Sequence, residues 1–462
     1  MKVLVKKAGL AELILAGAGL AALTVLYIAW WMRHPDMPGA GRWAAFVSAA
    51  LFAALGVRFV FVWLGDWRSR MAEPQERRIT ESVRVGVLVR IFLACFAAEI
   101  AALLLVFVLQ VMNGSRESFW AAAEIWTKLD SKHYFDIARE WYLSEGDTGR
   151  LVQLVFLPGY PLAVRLFLRF TGNILKAGLL VSALSFSGAG VMLYLLARLD
   201  TDHGTALRTV KYICLVPGAF FFAAPMSDAL FLLLSVSCVY AARRGMWLPA
   251  GLLGGLAAFT RSLGLVLLAP MCFLLIAEAI TRRSEPRSPV DKRRLARGFA
   301  CLLLIPAGFG AYCLICRSVT GDAFKFMEYQ REHWSQSPGL FFHTAAYQTE
   351  NAFECWRERN LEKLIGLWLP NLFCIFAALL VMLLAVRRLH PAYTAYFIGY
   401  YVMAVGTSWL LSGPRYLAAL FPLSMGLSAL TEDRRTDALA TVGLSVFYVL
   451  YAIAFIARWQ VW

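Results

Sequence analysis

Apolar runs of roughly 20 residues, each closed by a short polar or basic turn, recur along the whole chain, and such a run is long enough to cross a hydrocarbon core. They fall at about 8–31, 43–64, 85–112, 178–199, 208–225, 228–242, 246–260, 263–280, 298–316, 364–386, 391–410, 415–431 and 437–459. Inside lipid a backbone over such lengths satisfies its own polar groups only as helix. The pattern therefore predicts an all-α polytopic membrane protein with about 13 transmembrane helices. Several middle runs are about 15 residues long, short of a straight crossing, and predict tilted or broken helices.

Charge orients the runs. Lys2, Lys6 and Lys7 precede the first, and Arg68, Arg70, Arg77, Arg78 and Arg84 follow the second. Basic residues favour the cytosolic side, so the N-terminus is read as cytosolic and the run 85–112 leads outward. This gives a first external loop over 113–177 and a second over 318–363. Within the first loop, Pro158, Gly159, Pro161, Arg165 and Arg169 interrupt the apolar stretch 151–170. It is read as a surface or re-entrant segment, because proline and charge disfavour a spanning helix. Making it a crossing would put the basic loop at 281–297 outside. Residues 1–84 form an extra two-helix membrane segment ahead of a core over 85–462.

Composition adds little beyond this. The chain is 60% hydrophobic with a formal charge of +15. The positive residues sit in short loops between spans, which fits membrane lipids and argues against a nucleic-acid partner. The nine cysteines are scattered; Cys313 and Cys316 are spaced as a CxxC, but inside an apolar run, where packing explains them. The expected location is the cell (cytoplasmic) membrane.

Against this background one stretch is polar and aromatic, from Trp126 to Tyr142. A helix starting near Ser131 would place Asp130, His133, Tyr134, Ile137 and Trp141 along one face. Asp130 then reads either as the helix cap or as a carboxylate over a lipid-embedded cavity. The same topology brings His133, Asp136, Glu140, Arg165, Asp228, Arg261 and Arg415 to the outer face. Carboxylates and arginines above a bilayer suit a phosphorylated lipid and a hydroxyl acceptor. A carboxylate can accept the hydroxyl proton, and arginine pairs with phosphate. Plainer roles stand beside each: helix capping for Asp228, snorkelling for Arg165, Arg261 and Arg415, and an interfacial aromatic belt for Tyr134 and Tyr416. A divalent metal, Mg or Mn, has a place only between Asp130 and Asp228 or a substrate phosphate. Asp136 falls on another face and reads as structural. Glu99 lies mid-span, where an acid reads either as functional or as the partner of Arg58 or Arg90.

Leu129-Asp130-Ser131-Lys132-His133-Tyr134-Phe135-Asp136-Ile137-Ala138 resembles the W-D-x-x-H/W-Y-x-x-I-A segment of the PIG-V-like mannosyltransferases, a family of GT-C glycosyltransferases. Phe156-Leu157-Pro158-Gly159-Tyr160-Pro161, ending at Arg165, is similar to that family's F-F-P-L-Y-P-L-L-I-R. The stretch Pro217 to Phe231, then Thr260-Arg261-Ser262-Leu263-Gly264, resembles P-x-x-F…Y-T/S-E-S-L-F…T-R-x-x-G. Pro414-Arg415-Tyr416 resembles a late R-Y element before Phe421-Pro422-Leu423. The chain departs in having Leu129 where the family has Trp, and Asp228 where it has Glu. The resemblance implies a GT-C-like fold and an inverting transferase using a polyprenyl-phosphate sugar donor, usually mannose, with a lipid, glycan or protein acceptor. Asp130 would be its base, and His133, Tyr134, Arg165, Asp228, Arg261, Arg415 and Tyr416 its substrate-binding residues. A non-catalytic polyprenyl-lipid binder or transporter is the competing expectation.

Overall fold

The computed structural model describes residues 39–72, 83–127, 129–142, 151–284, 292–335, 341–407, 410, 412–457, 459 and 461, with isolated residues between 14 and 28. The expected first span at 8–31 lies largely outside them, as do Arg77 and Arg78 of the loop after the second span. Among the described residues every regular element is helical. Among the described residues seven helices are long and apolar enough to cross a membrane: Gly39–Trp67, Val85–Met112, Ile174–Ala197, Ser262–Ile280, Arg293–Thr320, Leu361–Ala385 and Arg434–Ile456. Their outer faces carry bare hydrocarbon, such as Leu93, Leu104, Leu439 and Val442. Contiguous apolar surface of this kind has no stable place in water, and the protein is a multi-pass membrane protein.

The shorter apolar runs behave differently. The expected crossing at 208–225 is a 13-residue helix, His203–Leu215, followed by an irregular stretch with one 3-10 turn at Ala219–Phe222. Pro217 and Pro225 withhold backbone donors, and the phenylalanines between them are buried in protein. The run at 415–431 divides into Gly413–Ala418 and Pro422–Leu430, with Pro422 opening the second piece, where its missing N–H costs nothing. The span Arg293–Thr320 is itself interrupted at Leu303, between Lys292–Leu302 and Leu304–Thr320, where Pro306 removes the bond to the Leu302 carbonyl. Asp228–Arg243, Trp247–Thr260 and Pro391–Val405 are 16, 14 and 15 residues long. Asp228–Arg243 is buried along most of its length, whereas Trp247–Thr260 keeps an apolar outer face of Leu248, Leu252 and Leu256 and Pro391–Val405 exposes Val402 and Met403.

The helix Asp228–Arg243 is the axis that positions the site. It lies between Ile174–Ala197 and Trp247–Thr260. At its C-terminal end Arg243 donates to both carboxylate oxygens of Asp200, at 2.7 and 2.8 Å, and Tyr393 Oη donates to the same group at 2.6 Å. That charge-assisted staple fixes one end of the helix. Asp228 stands at the other, about 22 Å away along the axis.

The N-terminal segment is docked on the core. Gly39–Ala72 packs along Phe341–Arg357, a helix of the second expected external loop; Thr349 donates to Ser48 at 2.8 Å, and Ala45, Ala49 and Ala346 are buried between them. On the same helix Glu350 is buried with its Oε1 unpartnered. Burial pushes its carboxyl up to about 8. The folded state therefore holds this proton more tightly than the unfolded chain does, and stability falls as pH rises from about 4.5 to 8. Glu350→Gln is expected to stabilise the protein at pH 8 by about 1–3 kcal/mol and to flatten the loss of melting temperature between pH 6 and 8 that is expected of the parent.

Mid-span, Glu99 is buried with its Oε2 unpartnered. Among the described residues the expected ion pair with Arg58 or Arg90 is not formed.

Candidate active site

The expected amphipathic helix spans Asp130–Glu140. Its N-cap position is Leu129, at φ +58°, and it closes at Trp141, at φ +66°. A side chain in the left-handed region costs on the order of 1–3 kcal/mol, so the surrounding packing dictates both ends of this helix. Asp130 is the first helical residue and does not occupy the cap position. Its Oδ2 lies instead 2.6 Å from Arg415 Nη1.

Arg415 links two carboxylates. Its Nε and Nη2 both approach Asp228 Oδ2 at 2.9 Å, while its Nη1 faces Asp130. Arg261 Nη1 reaches Asp228 Oδ1 at 2.5 Å. Asp228 is thus gripped by both guanidiniums and is 1% exposed, whereas Asp130, at 28%, stands at the rim. Rings wall the charges in: Arg261 lies over Tyr416 at 5.2 Å and Phe231 at 5.9 Å, and Arg415 over Phe221 at 5.9 Å. Such walls keep water out and strengthen each charge interaction. Tyr134 Oη is 2.8 Å from Ser227 Oγ, to which Arg261 Nη1 also donates at 3.4 Å. The Asp130 helix is thereby tied to the residue just before Asp228.

Two glycines allow these elements to meet. A Cβ on Gly218 would lie 2.1 Å from the Pro414 carbonyl oxygen and 2.8 Å from the Arg415 nitrogen. The stretch after Pro217 therefore rests directly on the backbone that carries Arg415. A Cβ on Gly159 would lie 2.9 Å from Thr260 Cα, beside Arg261. Gly218→Ala should shift Arg415 and lower activity by tenfold or more on the scale that about 1 Å of misplacement produces. The melting temperature should fall with it; unchanged rates in the folded variant would exclude this backbone contact as the source of the alignment.

The other expected substrate-binding residues are placed elsewhere. Arg165 lies away from the four-charge cluster: its Nε donates to the Ala138 carbonyl at 2.7 Å and its Nη2 to that of Arg139 at 3.2 Å, with its guanidinium over the Trp141 ring. It caps the C-terminus of the Asp130 helix, where free carbonyls attract a cation. His133 stacks on Phe156 with ring centroids 4.6 Å apart. Burial lowers its pKa against the opposing pull of Asp130 and Asp136, so the ring is neutral at pH 7. Asp136 accepts from Gln153 at 3.4 Å. Ser227, Phe221 and Gly218 were not singled out by sequence reasoning. Ser227 and Gly218 lie inside the quoted stretch 217–231, but nothing in their residue types marked them as contacts of the site.

The four charged side chains form a formally neutral cluster of two carboxylates and two guanidiniums. The place expected for a divalent metal between Asp130 and Asp228 is taken by the Arg415 guanidinium. Both carboxylates already face arginine, and among the described residues no group of three His, Cys, Asp or Glu side chains converges.

Fold and cluster together define a multi-pass, all-helical membrane protein with a charged, ring-walled site built from four separate segments. Residues 87–309 match the model of the mannosyltransferase (PIG-V) family, and this stretch, which contains Asp130, Asp228 and Arg261, is PIG-V-like. Similar curated proteins include the GPI alpha-1,6-mannosyltransferase 2 of Rattus norvegicus, 32% identical over 151 residues, and that of Mus musculus, 36% identical over 151 residues. Each match covers 30% of this chain, and it spans 30% and 29% of the length of those relatives. Among solved structures, ArnT from Cupriavidus metallidurans bound to undecaprenyl phosphate is similar at 15% identity. That likeness covers 74% of this chain and 75% of that one, with a TM-score of 0.44.

Proposed function

We propose that the chain is an inverting membrane glycosyltransferase that moves a hexose, mannose, from a polyprenyl-phosphate-linked donor to an acceptor hydroxyl on the outer face of the membrane. The observation that carries this reading is Arg415, which spans the half-buried Asp130 at the rim and the buried Asp228. The acceptor oxygen attacks C1 of the sugar from the face opposite the phosphate, and its proton passes to the Asp130 carboxylate. The C1–O bond to phosphate breaks with both electrons leaving on the phosphate. Arg415 and Arg261 stand where that growing negative charge would be stabilised, inside a walled site where such charges act strongly. Asp228 orients both arginines without touching the sugar. Tyr416 and Phe231, against Arg261, hold that guanidinium in one plane.

The purified protein in lipid nanodiscs, given radiolabelled polyprenyl-phosphate mannose and a mixture of glycolipid, glycan and peptide acceptors, should release polyprenyl phosphate and label one acceptor class. Nucleotide-linked mannose should not substitute for the lipid-linked donor. Binding of the lipid-linked donor without any transfer would favour a carrier-binding protein instead.

A further inference from the structure

We infer that the Asp130 carboxylate occupies the phosphate subsite of the resting protein, and that the phosphate of a lipid-linked ligand must displace it from Arg415 before the site can act. This rests on the transferase reading above, to which it adds an order of events. Three observations carry it. The four-charge cluster is already neutral, so no guanidinium stands unpaired to greet an incoming anion. The two carboxylates are unequal: Asp228 is 1% exposed and held by Arg415 Nε, Arg415 Nη2 and Arg261 Nη1, whereas Asp130 is 28% exposed and approached by Arg415 Nη1. The fork of Arg415 is thus divided, with one edge committed to the buried acid and its other terminal nitrogen lent to the acid at the rim.

A phosphate oxygen and a carboxylate oxygen seek the same geometry on a guanidinium. The incoming group takes Arg415 Nη1, and the acid with the weaker hold and the easier path to water gives way. No covalent bond changes in this step. Asp130, no longer sharing its charge with Arg415 and now beside a second anion, becomes free to take the acceptor's proton. Donor binding therefore precedes productive acceptor binding, and without donor the base stays masked by its ion pair.

The test is the sign of an affinity change. Farnesyl phosphate binding is measured for the detergent-purified full chain, for Asp130→Asn and for Asp130→Ala, the second because an asparagine oxygen can still accept from Arg415. Removing the competing carboxylate should tighten binding by on the order of 5-fold, the scale of a partly exposed ion pair, although both variants lose turnover. A merely structural ion pair predicts unchanged or weaker binding, and that result in Asp130→Ala with an unchanged melting temperature overturns the inference. Inorganic phosphate is run in parallel: tightening for farnesyl phosphate supports the lipid source, and tightening for inorganic phosphate alone overturns that assignment. The transfer assay separates the two readings. Transfer without any gain of affinity leaves the transferase reading standing and sinks the displacement; a gain of affinity in a protein that transfers nothing does the reverse.

Discussion

Asp130→Asn is expected to lower sugar-transfer turnover by about 10²–10⁴-fold, the usual contribution of a positioned general base. The reason is that, among the described residues packed around it, neither Asp228, Asp136 nor His133 is placed to take over. Asp228 is sealed behind the rings and held by both arginines. Asp136 points to Gln153 on another face of the same helix, and His133, though neutral, is stacked flat on Phe156. The fold should survive the change, because Arg415 keeps Asp228 as its partner and the Asp130 helix keeps its Tyr134–Ser227 tie. Single-turnover assays with polyprenyl-phosphate mannose, alongside thermal melting, make the check. Turnover within tenfold of the parent in a variant of normal melting temperature would remove Asp130 from the chemistry.

The position of this cluster was legible in the sequence to the extent that topology was. Asp228, Arg261 and Arg415 are each charged residues at the edge of an apolar run, where desolvation is tolerable only beside a partner or a cavity, and Asp130 stands in the polar stretch of the external loop. Reading the basic loops as cytosolic sent all four to one side, and the structure brings all four into contact. Arg165 passed the same filter and lies elsewhere. It has the right charge at the right depth, but its partners are the last carbonyls of a helix whose end is fixed by Trp141 at a positive φ, and tertiary packing sets that conformation. The run at 208–225 misled for a related reason. A stretch enclosed by protein is as apolar as one enclosed by lipid, so hydropathy could not distinguish the buried phenylalanines at 220–222 from a lipid-crossing helix. Pro217, Gly218 and Pro225 held the information. Their effect, an irregular chain pressed against the backbone of Arg415, depends on a contact nearly 200 residues away in sequence.

Asp228→Asn is expected to act on the fold as much as on the reaction, and the contrast with Asp130 follows from burial. Taking the charge from a buried pair strands its partner in low dielectric, at a cost of about 3–5 kcal/mol. Here two guanidiniums would be left, Arg261 with only its weak Ser227 contact and its rings, and Arg415 with only Asp130. Both positive groups would then repel each other across a site from which water is largely excluded. The melting temperature should drop by several degrees more than in Asp130→Asn, and donor binding should weaken because the arginines no longer share a fixed frame. Asp228→Glu separates charge from geometry: it keeps the negative charge but adds one methylene in a packed pocket, so it should recover much of the stability while leaving activity low. If Asp228→Asn melted no lower than Asp130→Asn, the buried acid would not be what holds the two arginines in place. The site would then owe its shape to the backbone contacts of Gly218 and Gly159 instead.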